Sequence, residues 1–273
     1  MSTGERPWAL VTGASRGLGE AIARELAARR HNLVLTARSG PEMERLADDL
    51  RRAHGVEAVV EPLDLAAPGG AAALLGRLDA RGLHPDVLVN NAGIGMYAPF
   101  AEEDPERVRA LIQLDVVSLV ELSHALGRRM AARGRGHILL VGSTASFQAV
   151  PLMSCYAASK AFVLSFGEAL HVELAPRVGV TVLCPGMLDT RFNVETGYEV
   201  PPLLRRTERP LAEVARIGLD ALFAGKPSVV AGAANKAMIL AARLLARRFV
   251  ARRAYAVTRD SARTGKAGAA RED

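Results

Sequence analysis

A chain of 273 residues that is 49% hydrophobic and 23% charged has apolar material for a large core and charge for a water-facing surface. No apolar run approaches the roughly 18–20 residues that span a bilayer; the two cysteines, Cys155 and Cys184, form no disulfide framework and point to a reducing cytoplasm; the six scattered histidines lack metal-ligand spacing. The formal charge of +6 is local: positions 221–259 carry eight basic and no acidic residues, leaving 27 basic against 29 acidic elsewhere. One Trp and few other aromatics offer a nucleic-acid strand little to stack on.

Short β-like runs alternate with helix-length segments along the chain. Strands are expected at Trp8–Thr12, Asn32–Ala37, Glu57–Pro62, Asp86–Asn90, His137–Gly142, Val180–Cys184 and Ser228–Ala231. Helices are expected at about 18–30, 41–54, 66–81, 105–132, 155–175, 210–224 and 234–257. Several strands are nearly continuous apolar runs, as strands buried on both faces should be. The alternation predicts an α/β fold: a single doubly wound, mostly parallel, seven-stranded Rossmann-type sheet with helices on both faces. No repeat or linker divides it. Residues 1–259 read as one domain that includes the basic helix 234–257, and 260–273, without a bulky apolar side chain, as a disordered tail. A cleaved leader is not expected, because the first motif already begins at Thr12.

That motif, Thr12-Gly13-Ala14-Ser15-Arg16-Gly17-Leu18-Gly19, follows the first strand and opens the first helix. Glycines there let the backbone turn tightly and approach a pyrophosphate, whose charge a helix N-terminus stabilises. Three residues separate Gly13 from Gly17, a spacing that resembles the short-chain dehydrogenase/reductase family. Further matches follow in that family's order: Asp64-Leu65, Asn90-Asn91-Ala92-Gly93, Ser143, Tyr156-Ala157-Ala158-Ser159-Lys160, then Pro185-Gly186 with Thr190 shortly after. Each falls at a strand's C-terminal end, where open α/β sheets bind ligands. The resemblance covers roughly residues 7 to 232.

The resemblance implies an oxidoreductase whose catalytic group is Ser143, Tyr156 and Lys160. It implies cofactor contacts from Gly13, Ser15, Arg16, Gly17, Leu18, Gly19, Asp64, Leu65, Asn90, Asn91, Ala92, Gly93, Pro185, Gly186 and Thr190, and from Lys160 to the nicotinamide ribose. Tyr156 and Lys160 lie four apart at a helix start and so share a face. Carbonyl reduction needs an acid for the developing alkoxide, and an ammonium beside a phenol favours phenolate below its usual pKa of about 10. Ser143 is placed to hold the substrate oxygen as an oxyanion-hole donor would. Arg38 follows the second strand, where NAD enzymes carry an acid, so Arg38 and Arg16 can clamp a 2′-phosphate and the cofactor expected is NADP(H).

Met96, Tyr97, Phe100, Phe147, Met153, Leu188 and Phe192 stand in loops around the expected mouth and read either as packing or as the wall of an apolar substrate site. The stretch Ser143-Thr144-Ala145-Ser146-Phe147 and the C-terminal extension resemble the family's 3-ketoacyl and hydroxysteroid reductase branch. The family's helical Asn aligns with Asp115, where it supports a water linked to the catalytic lysine; an ionised Asp115 would cancel part of the Lys160 field on Tyr156. A cofactor-binding regulatory or scaffold protein with little turnover is the alternative reading. The family often forms dimers or tetramers. Lys236, Arg243, Arg247, Arg248, Arg252 and Arg253 spread around the wheel of a single 234–257 helix, which counts against a simple membrane-surface helix. A basic surface meeting an acidic carrier protein or a membrane stays open beside a solvated basic helix.

Overall fold

The computed structural model describes residues 6–188, 196–200, 205 and 207–269, the last ten of these as backbone only. Thr190 and Phe192 lie outside the described residues. Seven strands, β1 (Trp8–Thr12), β2 (Asn32–Ala37), β3 (Ala58–Pro62), β4 (Val87–Asn90), β5 (His137–Val141), β6 (Gly179–Cys184) and β7 (Ser228–Val230), form one sheet in the order β3-β2-β1-β4-β5-β6-β7. All six pairings are parallel. The chain builds outward from β1 to β3, returns to β4, and then builds the other way. The C-terminal ends of β1 and β4 therefore flank the crevice where the winding reverses.

Alternation along each strand divides the core. Val11, Leu33, Leu35, Val89 and Leu139 face one side with helices α1 (Gly17–Ala28), α2 (Gly40–His54) and a later helix (Leu211–Phe223). Leu10, Val34, Leu88, Ile138 and Leu140 face the other, with α3 (Gly70–Ala80), the long run that begins at Pro105, and the helix Ser154–Leu174. Each fully buried leucine contributes about 1.5–3 kcal/mol relative to exposure, so strand periodicity accounts for both layers.

The run from Pro105 is α4 (Pro105–Ile112), a π-turn (Gln113–Ser118) and α5 (Leu119–Arg133). Sequence reading made it one regular helix. By length and composition it would suffice to cross a membrane, yet Leu111, Leu119, Leu122, Leu126 and Met130 are buried against the sheet and its neighbours. After it come α6 (Ser154–Leu174), α7 (Leu211–Phe223), α8 (Ala233–Leu244) and α9 (Arg247–Ala269). The expected helix 234–257 is thus two helices, broken where Leu245 takes an extended backbone (φ −103, ψ 153). Helix α9 continues to Ala269, past the expected end at 257 and into the segment read as a tail.

Candidate active site

The Gly-rich turn between β1 and α1 is built for a close approach. Gly13 and Gly17 have φ of +66 and +62, which a Cβ would strain. A Cβ on Gly19 would strike the Gly13 carbonyl oxygen and the Asn91 side-chain amide. Arg16 takes the N-cap place with extended backbone and gives α1 no side-chain cap, so the first amides of α1 open toward the crevice. The end of β4 braces this turn. Thr12 Oγ1 accepts from the backbone N–H groups of Asn91 and Ala92 (3.0 Å each), and Asn91 Nδ2 donates to the carbonyl of Thr12 at 2.9 Å.

One cleft of about 1700 Å³ runs over the C-terminal ends of the strands. Of the residues expected at the cofactor, Gly13, Ser15, Arg16, Gly17, Leu18, Arg38, Asp64, Leu65, Asn91, Ala92, Gly93, Pro185 and Gly186 line it. Two of the expected residues, Asn90 and Gly19, do not line the cleft. Asn90 is buried beneath, where its amide donates to Ser123 Oγ (2.9 Å), because a β4 side chain at that register points into the helical layer. Gly19 is buried and acts by leaving room, not by lining. At the cleft's far end, Arg38 and Arg16 are exposed and are joined by Ser39, the N-cap of α2, and by Glu42 and Arg45 on its first turns, which sequence reading missed. Arg45 lies seven residues past Arg38 on α2 and stands 3.8 Å from the Glu42 carboxylate.

Ser143, Tyr156 and Lys160 meet in this cleft. Ser143 caps the short turn Thr144–Phe147, its Oγ accepting from the Ala145 N–H at 3.1 Å. The Ser143 and Tyr156 side chains are hydrogen-bonded. Ser146 sets the two segments in register: its Oγ accepts from the Ser143 N–H (3.2 Å) and donates to the Lys160 carbonyl (2.7 Å). Sequence reading gave Ser146 no role of its own, since these bonds form only in the fold. The Lys160 ammonium stands 5.7 Å from the centre of the Tyr156 ring and donates to the Val141 carbonyl at 3.3 Å.

Asp115 is fully buried and lies against this group directly, not through a water as the resemblance implied. Its Oδ2 is 3.2 Å from Lys160 Nζ and accepts from Ser159 Oγ at 3.3 Å, while Oδ1 accepts from the Ile94 N–H at 2.8 Å. The π-turn that holds Asp115 widens the helix at this point. Gly93 makes room for the pair, since a Cβ there would lie 3.2–3.4 Å from Lys160 Nζ and both Asp115 oxygens.

The electrostatics differ from the simple phenol–ammonium pair. Burial is the largest influence on Tyr156 and holds its pKa above the usual value; Lys160 and the Ser143 hydrogen bond pull it down, and Asp115 pushes it up. Burial works against the Lys160 ammonium, but Asp115 and Tyr156 outweigh it and raise the lysine. Nearby Cys184 is pushed up to about 12, chiefly by burial, which leaves it an inert thiol.

The expected substrate wall is redrawn. Met153 and Leu188 line the cleft, but Met96 is core and Phe100 is exposed. Phe147 lies under the Arg243 guanidinium, 5.5 Å from ring centre to cation, and the Tyr97 hydroxyl donates to the Thr258 carbonyl. The wall comes instead from Tyr198 and from Met238, Ala242, Leu245, Phe249 and Val257 on α8 and α9. Sequence reading missed these because nothing local shows that the C-terminal helices fold back over the strand ends.

A doubly wound parallel sheet carries a glycine turn at its switch point, and Ser143, Tyr156 and Lys160 share the cleft above it. The chain belongs to the short chain dehydrogenase family, whose pattern matches residues 7–200. It is 33% identical over 196 residues to the ketoacyl reductase HetN of Nostoc sp., covering 71% of this chain and 68% of that protein. It is 31% identical over 216 residues to the probable oxidoreductase EphD of Mycobacterium tuberculosis, covering 78% of this chain. The chain spans only 36% of that mycobacterial protein's length. Among solved structures, a short-chain dehydrogenase from Sphingobium yanoikuyae in complex with NADPH is similar with a TM-score of 0.76 and 32% identity, covering 87% of this chain and 94% of that one.

Proposed function

We propose that the protein is an NADP(H)-dependent reductase of an apolar ketone, with a 3-ketoacyl thioester or steroid-like ketone as the substrate class. The observation that carries this reading is the single cleft joining Ser143, Tyr156 and Lys160 to an arginine-bearing end and an apolar wall. The glycine turn, whose Cβ positions would be filled by backbone, fits a pyrophosphate, and Arg38 and Arg16 fit a 2′-phosphate. A charge-assisted hydrogen bond is worth roughly 1.5–3 kcal/mol, so two would favour NADPH over NADH by about a hundredfold or more.

A nicotinamide held by the glycine turn and Lys160 would supply the hydride for the carbonyl carbon. Ser143 holds the carbonyl oxygen, Tyr156 donates its hydroxyl proton to that oxygen, and the Lys160 ammonium stabilises the phenolate that remains. The Nostoc ketoacyl reductase and the NADPH-bound Sphingobium enzyme support substrate class and cofactor. A homodimer or homotetramer in the cytoplasm completes the reading, tested by light scattering and fractionation.

The alternative, a cofactor-binding regulatory protein with little turnover, draws on the Asp115–Lys160 contact, which opposes part of the lysine's action on Tyr156. NADPH oxidation against aliphatic ketones, 3-ketoacyl thioesters and steroid ketones separates the two. Turnover with one class supports the enzyme. Tight NADPH binding with no turnover on any class favours the alternative.

A further inference from the structure

We infer that the surface where α8 meets α9 docks on an anionic lipid bilayer, with the mouth of the cleft turned toward the lipid. This is independent of which ketone is reduced. Two observations on this surface coincide. The first is charge without acidic partners. On the body of the protein, arginines pair with acids, as Arg24 does with Glu20, Arg51 with Asp48 and Arg129 with Asp79. Among the described residues, Lys236, Arg243, Arg247, Arg248, Arg252 and Arg253 make no ion pair, and positions 221–259 contain no acid to offer one. Arg248 and Arg252 lie one turn apart on α9, so they share a face. With Tyr255 and Pro151 they line a shallow cavity of about 370 Å³.

The second observation is apolar exposure at the same place. Leu240 and Leu244, one turn apart on α8, are 62% and 80% exposed, and Leu245, Phe249, Tyr255 and Val257 are exposed as well. Leu245 and Phe249 also line the cleft, so exposed apolar side chains of α8 and α9 reach its wall. The surface is held to the body: Thr258 Oγ1 donates to the Pro151 carbonyl at 3.3 Å, and the Tyr97 hydroxyl donates to the Thr258 carbonyl.

An occupant must match both features. A second copy presenting this face brings like charge, and an acidic protein answers the arginines but leaves Leu240 and Leu244 in water. A bilayer with anionic headgroups takes the arginines at the phosphates and the leucines just below them. The break at Leu245 removes the objection that the basic residues spread around one helix, because each helix contributes one part of the surface.

The test is flotation of the full chain, with NADPH present, on vesicles of phosphatidylglycerol with phosphatidylcholine and on phosphatidylcholine alone. Binding is expected to the anionic vesicles only and to weaken with salt. Replacing Arg247, Arg248 and Arg252 by Gln should weaken it on the order of a hundredfold, and replacing Leu240 and Leu244 by Ser should also weaken it. NADPH affinity equal to the parent's shows that each variant is folded, since none of these five residues lines the cleft. The proposal is overturned by absence from anionic vesicles, by equal binding to neutral ones, or by an Arg variant that floats like the parent. It is equally overturned if the Leu variant changes only the oligomer in light scattering, which would assign the face to a second copy.

Discussion

Asp115 Oδ2 lies 3.2 Å from Lys160 Nζ, both side chains buried, so the lysine that should tune Tyr156 is itself neutralised at close range. At about 4 Å and an effective dielectric of about 20, one charge pair is worth about 4 kcal/mol, so a contact this short bears on every proton transfer at the site. Asp115 stabilises the ammonium and opposes ionisation of the phenol, which favours a Tyr156 that starts protonated. Reduction needs that state; alcohol oxidation needs the reverse.

Asp115→Asn keeps the shape and removes the charge. The carboxylate raises the Tyr156 pKa, so its loss lowers it, and phenolate forms at lower pH. The alkaline rise in oxidation rate should move to lower pH, with reduction near neutrality preserved. The check is kcat/KM against pH in both directions. Superimposed profiles for the variant and the parent would show that the pair has no part in proton transfer.

The same pair bears on stability. Lys160→Met leaves a buried carboxylate without its cation, and Asp115→Ala leaves a buried ammonium without its anion; each should cost about 3–5 kcal/mol. Asp115→Ala combined with Lys160→Met removes both charges and should cost less than the sum of the two single changes. Urea unfolding of the three proteins measures this. A double variant as unstable as the sum of the singles contradicts the direct pairing.

Tyr156→Phe removes the proton donor and keeps the ring. Ketone reduction should fall by about 10²–10⁴-fold, with NADPH affinity nearly unchanged. Stopped-flow reduction alongside fluorescence titration of NADPH decides it; reduction at the parental rate would assign the acid elsewhere.

Arg38→Asp places an acid where the 2′-phosphate would sit, among Arg16, Ser39 and Arg45. NADPH affinity should drop by about tenfold or more and the preference for NADPH over NADH narrow or reverse. Calorimetric titration with both cofactors checks it, and a parent protein that binds the two equally removes the basis of the expectation.

Much of this protein is determined by its sequence alone. Apolar runs of strand length, alternating with amphipathic segments, dictate a parallel sheet covered on both faces, because that arrangement buries β4 throughout and β1 and β5 past their first residue. The glycine turn, the Tyr156–Lys160 spacing and the place of Ser143 after β5 are local patterns, set by backbone geometry within a few residues. The tertiary structure decided what depends on distant contacts. Asp115 and Lys160 are 45 residues apart, and only the π-turn with Gly93 brings them together. Asn90 and Asn91 are neighbours of one residue type, yet strand alternation buries one and leaves the other to brace the cleft. The substrate wall is decided in the same way, by where α8 and α9 settle after the break at Leu245. That position follows from contacts such as Tyr97 with Thr258, across 161 residues, whose energy no local periodicity carries.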